Sequence, residues 1–172
     1  ARAIGVEVAL AGAKHITIVN RSENRGHELT ALLNDKTPAE AIFENWEGDY
    51  SVAVGVDVVI NATSIGLYPD VDARLALNLE SLTADMVVAD VIPNPPRTNL
   101  IKDAEARGCN PKNARATPEV HDALAGREIR IQCAQTHGSG RMRTRTKGQT
   151  RVEQYIDRVR VGRRCPAGAN PQ

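Results

Sequence analysis

Aromatic residues are scarce in this chain, at 3% of its 172 residues. Phe43, Trp46, Tyr50 and Tyr68 fall in its first part, and Tyr155 stands alone in the remainder. The remainder therefore lacks the interleaved rings on which a single-stranded nucleic acid stacks its bases. Cysteine is sparse too: Cys109, Cys133 and Cys165 are an odd set without a C-x-x-C pair. That argues against a disulfide framework and leads us to expect a reducing, cytoplasmic setting. Cys133 and His137 have C-x₃-H spacing with His121 upstream, but a zinc site needs a second paired half, so no metal is expected. No apolar run approaches the ~20 residues of a membrane span, and no basic-then-apolar leader is read at the start. The first residue is Ala rather than Met, which suggests a processed or truncated sequence.

What is present divides in two. The net charge of +1 conceals 9 Lys+Arg against 16 Asp+Glu in residues 1–109, and 13 against 5 in residues 110–172. Such asymmetry suggests regions of different physical character. We place a domain at 1–109 and a basic tail at 110–172. The tail stretch "HGSGRMRTRTKGQTR" (137–151) has no periodicity and almost no apolar residues. It cannot bury enough surface to offset its ordering entropy, so the tail is expected to be largely disordered. Two islands within it, "DALAGREIRIQCA" and "RVEQYIDRVRV", have the pattern of a marginal strand and a marginal helix.

The first part alternates strands and helices. Residues 2–11 read as a helix with Ile4, Val8 and Ala11 on one face, ended by Gly12. "HITIVN" (15–20), "AIFENW" (41–46), "VDVVINA" (56–62) and "DMVVADVI" (85–92) read as strands, mostly apolar throughout. Ser22 can cap a helix that turns Leu29, Leu32 and Leu33 inward. A last helix spans roughly 98–107, stopped by Gly108. Apolar strands alternating with helices indicate an α/β fold with a Rossmann-like parallel sheet and flanking helices.

In such a sheet the second strand ends beside the adenosine ribose, where an acid selects NAD and arginine accommodates the 2′-phosphate of NADP. The strand at 15–20 ends in Asn20, and Arg21, Ser22 and Arg25 follow. Arg21 can grip a phosphate bidentately and lay its planar face on adenine. Ser22 adds a hydroxyl at a helix start, where exposed N–H groups favour an anion. Arginines at a helix N-terminus oppose the macrodipole unless an anion sits there. The alternative, solvated surface arginines, is disfavoured by the parallel-sheet context and the missing acid, so NADP is the expected cofactor. The glycine-rich loop that normally precedes the first helix is expected to end just before Ala1. The central strand would then be absent, leaving the strands at 15–20 and 56–62 without their shared partner and the chain poorly stable.

With "NRSENR", "NATSIGLYP" and "DVIPNPPRTNLIKDAEARGC" in order and spacing, residues 1 to about 109 resemble the NADP-binding domain of shikimate dehydrogenase. The resemblance implies that Asn20, Arg21, Ser22 and Arg25 hold the 2′-phosphate, and that Ala62, Thr63 and Ser64 line the cofactor. It places Val91 against the nicotinamide. Thr63 and Ser64 also suit a second role, as turn formers closing "SIGLYPD", and Asp90 reads as a strand-end carboxylate bonded to local amides. The implied reaction is reversible reduction of 3-dehydroshikimate to shikimate with NADPH. The family's catalytic lysine and aspartate lie in an N-terminal substrate domain with no counterpart here, so no catalytic residue is assigned and the chain alone is expected to be inactive. Pro93 stands where the family often has a substrate-holding tyrosine. After Cys109 the family's Asp-Gly-Leu-Gly-Met stretch gives way to "NPKNARATPEV", which resembles a shifted reading frame or a replaced terminus. Nucleic acid and membrane are not expected partners, and homodimerisation is left open. The competing reading is a non-catalytic NADP-binding or partner-binding module with a basic tail.

Overall fold

The computed structural model describes residues 1–112 and, as backbone, the strand at 129–135. Helix α1 (Arg2–Ala11) leads into β1 (Ala13–Asn20). Helix α2 (Glu23–Lys36) and β2 (Glu40–Asn45) follow. Strand β3 (Val58–Asn61), a helical turn at Leu79–Ser81, β4 (Val87–Asp90) and α3 (Asn99–Ala106) come next. Strands β5 (Asn110–Lys112) and β6 (Ile129–Gln135) complete the set. The four strands and three helices read from the sequence are all present, with ends shifted by a few residues, as fraying and short strands allow.

The six strands form one sheet in the order β2-β1-β6-β3-β4-β5, every pairing parallel. This is the doubly wound order with one change of provenance. The gap expected between β1 and β3 is filled, by a strand from far down the chain. Ile131 pairs with Ile16 on one side and Val58 on the other, and Cys133 pairs with Ile18 and Ile60. Two facing sheet edges with unpaired N–H and C=O groups are a template for a strand. Ile129 and Ile131 of β6, both β-branched, suit a strand. The sheet thus runs past residue 109, through both β5 and β6. The proposed helix at 151–161 and the expected disorder of the basic tail fall on residues outside those described.

Helix α1 buries Gly5, Val6, Val8 and Ala9, while Ile4 and Ala11 are only half-buried. The face is rotated from the Ile4–Val8–Ala11 stripe because Gly5 lets α1 approach α2: a Cβ at Gly5 would meet Leu33 at 3.3 Å. Leu29 and Leu33 are fully buried as expected, but Leu32 is half-buried at the margin of the face. Gly26 makes a closer approach still, since a Cβ there would lie 2.2 Å from the Phe43 ring of β2. Gly12 and Gly108 take positive φ (119° and 76°) at the ends of α1 and α3, the left-handed positions that stop both helices. Beneath α3, Leu100 and Ala104 pack with Val52, Val59, Leu82, Met86, Val88 and Cys109 into an apolar core. Among the described residues no helix is long and apolar enough to cross a membrane.

Because β6 is paired on both sides, a proline at Ile131 removes a ladder donor from the sheet centre. Ile131→Pro is expected to destabilise the chain by about 1–3 kcal/mol, because it leaves a ladder acceptor unpaired, read as a lower urea midpoint. An unchanged midpoint would show that the sheet does not depend on β6.

Candidate functional site

A parallel sheet sets every strand's carboxyl end along one edge, and all the sequence-derived candidates lie there. Asn20 ends β1, buried at 3% exposure, and its Oδ1 accepts the Ser22 N–H at 3.2 Å. That bond turns the chain sharply into α2. Ser22 occupies the capping position, but its hydroxyl makes no capping bond. Arg21 and Arg25 are exposed on this turn, and Glu23 shares the first turn of the helix. The Arg21 guanidinium carbon lies 5.8 Å from the centroid of the Trp46 ring.

Trp46, which the sequence reading did not single out, follows β2. Its main-chain N–H donates to the Asn20 carbonyl at 3.1 Å, and its indole N–H donates to the Ala76 carbonyl at 3.0 Å. The ring is 8% exposed, so both polar handles are satisfied and its plane is held under Arg21. Inward of it lies a recess lined mainly by apolar side chains, among them Val19, Tyr50, Leu75 and Leu77. At about 30 Å³ it holds a water at most and is far too small for a nucleotide.

The second cluster sits at the ends of β3 and β4. Asn61 and Asp90 pair in register, are almost fully buried, and bond through Asn61 Nδ2 to Asp90 Oδ1 at 3.1 Å. Asn61 Oδ1 accepts both the Thr63 N–H (3.0 Å) and the Thr63 hydroxyl (2.6 Å), and Thr63 Oγ1 in turn accepts the Ile65 N–H at 3.0 Å. The hydroxyl of Thr63 is thus engaged within its own turn, the geometry of a turn former. Ala62 is half-buried and Ser64 exposed beside it. Asp90 also accepts the Ile92 N–H (3.1 Å) at Oδ1 and the Thr98 hydroxyl (2.6 Å) at Oδ2, with Thr98 capping α3. Burial raises the Asp90 carboxyl above its ordinary value, against the hydrogen bonds from Thr98, Ile92, Asn61 and Val91 that favour its charged form. Val91, one residue on, donates its N–H to the Asn61 carbonyl at 3.2 Å and leaves its side chain 37% exposed.

The structure therefore gathers Ala62, Thr63, Ser64 and Val91 around the β3–β4 end. Asn20, Arg21, Ser22 and Arg25 gather at the β1 end, with β6 between the two groups. Among the described residues no cluster of His, Cys, Asp and Glu is arranged to hold a metal ion.

No family model matches the chain. It is 37% identical over 116 residues to the shikimate dehydrogenase (NADP(+)) of Alkaliphilus oremlandii, covering 66% of this chain and 41% of the relative. To that of Methanocaldococcus jannaschii it is 39% identical over 109 residues, covering 61% and 37%. Among solved structures, a shikimate dehydrogenase in complex with NADP+ matches with a TM-score of 0.50 at 27% identity, over 72% of this chain and 54% of that one. Over about two thirds of its length the chain is similar to part of the shikimate dehydrogenases. It spans less than half the length of these curated relatives. One structural neighbour has another name: the ligand-free 5-ketofructose reductase of Gluconobacter sp. strain CHM43 is 49% identical, with a TM-score of 0.64, over 71% of this chain and 43% of its own.

Asn61, Thr98 and Trp46, which the sequence reading did not name as site residues, also shape this edge. Asn61 and Asp90 did leave a signal: each is the polar last residue of an apolar run, "VVIN" and "VVAD", and such a residue needs internal partners when buried. Asp90 also takes the role read for it, bonded to a local amide.

Replacing Asp90 with Asn turns one of its acceptors into a donor facing the Thr98 hydroxyl. A loss of about 1–3 kcal/mol is expected at neutral pH, measured by urea unfolding. Because the folded carboxyl holds its proton more tightly than the unfolded one, stability falls as pH rises from about 3.9 through the raised value. The slope from this group should vanish in Asp90→Asn; an identical pH profile in both proteins would contradict the assignment.

Proposed function

We propose that this chain supplies the NADP-binding part of a carbonyl reductase of the shikimate dehydrogenase type. The observation that carries the reading is the β1–α2 turn: no acid at the strand end, Arg21 and Arg25 exposed, and Ser22 half-buried between them. The donor chemistry fits the 2′-phosphate of NADP. Two guanidinium groups offer forked donors, the Ser22 hydroxyl makes no capping bond, and the first turn of α2 exposes amide N–H groups toward an anion. An anion there also relieves the unfavourable placement of cations at the positive end of the helix dipole.

At the other cluster the chain contributes shape. The Asn61–Asp90–Thr98 bonds hold the ends of β3, β4 and α3 together, so the loops at 62–65 and 91–92 form a fixed edge rather than a mobile one. The exposed side chain of Val91 offers an apolar surface for a flat ring. When bound, the nicotinamide supplies or accepts the hydride. On this reading, proton transfer and the grip on substrate fall to segments beyond the part that this chain matches.

The substrate on the leading reading is 3-dehydroshikimate, reduced at its ketone to shikimate, as the names of the curated relatives suggest. The 49% identity to a 5-ketofructose reductase supports a second reading, in which the carbonyl belongs to a keto sugar. Both require the same hydride transfer to a ketone. A full-length protein carrying this segment, assayed with NADPH against each ketone, separates the two.

For the cofactor the test is direct. The chain is expected to bind NADPH about ten-fold or more tightly than NADH, and Arg21→Ala to bring the two affinities together, as measured by titration calorimetry. Equal binding of both nucleotides by the unaltered chain would refute the reading.

A further inference from the structure

We propose that Trp46 is a positioning residue for cofactor selectivity: its ring is the platform on which Arg21 is pre-set for the 2′-phosphate. The proposal rests on the NADP reading above and adds to it a residue that no motif assigns.

Three observations carry it. The first is geometric. Arg21 lies over the Trp46 ring at 5.8 Å, within the range in which a guanidinium is attracted to an indole face. Stacking uses the flat face of the guanidinium and leaves its edge, where the N–H donors lie, directed to the surroundings. The second is rigidity. Trp46 is bonded through its main-chain N–H to the Asn20 carbonyl and through its indole N–H to the Ala76 carbonyl. The platform is therefore tied to the strand end that carries Arg21 and cannot drift from it. The third is the lack of a competing anchor. The ion pairs among the described residues engage Arg2, Arg74, Arg97 and Arg107 with carboxylates, but none engages Arg21. An arginine held by a carboxylate would have to break that pair to bind phosphate, whereas one held by a ring does not.

The physical consequence is a smaller ordering penalty on binding. A free arginine side chain loses rotamer freedom when it closes on a phosphate, and a stacked one has already lost part of it. The effect favours ligands with a 2′-phosphate, because only they engage the N–H edge that the stacked pose presents.

The chain's single tryptophan is also the reporter. With adenosine 2′,5′-bisphosphate and adenosine 5′-monophosphate as probes, calorimetry on the 172-residue chain should show tighter binding of the bisphosphate. Trp46→Leu should weaken the bisphosphate by about three- to five-fold and leave the monophosphate unchanged, while Trp46→Phe keeps most of the preference. Should Trp46→Leu fail to fold, Trp46→Phe and Trp46 fluorescence in the unaltered chain decide. The bisphosphate should change that emission, and Arg21→Ala should abolish the change. Wild-type preference in a folded Trp46→Leu overturns the proposal, as does a fluorescence response that survives Arg21→Ala. So does an equal loss for both probes, which would mean that the ring holds the base rather than the arginine. If the unaltered chain shows no preference between the probes, the NADP reading itself fails, an outcome distinct from these.

Discussion

The described structure depends on β6. Strands β1 and β3 do not pair with each other; each pairs with β6, and that strand alone makes the sheet continuous. The two clusters at the carboxyl edge, the arginine turn after β1 and the buried polar set at β3 and β4, are placed relative to one another through it. A strand arriving from residues 129–135 closes a long loop, and the entropy of that closure grows only slowly with loop length. Pairing on both sides is what offsets it.

The edge itself shows how a buried strand end is made tolerable. Asn61, Thr63, Asp90 and Thr98 are all nearly inaccessible, and an unpartnered polar group there would cost roughly 1–3 kcal/mol. Instead each donor meets an acceptor: Asn61 to Asp90, Thr98 to Asp90, Thr63 to Asn61. The only charge in the set is the Asp90 carboxylate, which receives every hydrogen bond that it makes with Asn61, Ile92 and Thr98. Burial still raises its pKa, because these donors offset lost hydration without cancelling it.

Much of this was legible in the residues. Apolar runs with β-branched residues marked β1, β3 and β4, and Gly12 and Gly108 marked helix ends, because those features are local. The direction of α1's face was not, because it follows from Gly5 meeting Leu33, a contact between elements. Nor was the filling of the central slot. "EIRIQC" is readable as a strand, but its partners lie more than sixty residues away in β3 and further in β1, and no local pattern encodes that pairing. At the candidate site, Arg21 and Arg25 stood out through charge in an unusual place. Trp46 did not, since a lone aromatic at a strand end has core packing as its ordinary explanation.

That last omission bears on how cofactor choice can be built. A cationic side chain at the start of a helix is opposed by the dipole, so its rest position must come from something other than charge. A carboxylate would hold it firmly but would also compete with the incoming phosphate and repel it. An indole face attracts the cation, adds no negative charge, and leaves the N–H edge unengaged. In this fold the strand end that places Arg21 is hydrogen-bonded to the residue that bears the ring. One local geometry thus sets both the cation and its support, and the proposed selectivity for a 2′-phosphate rests on that pair.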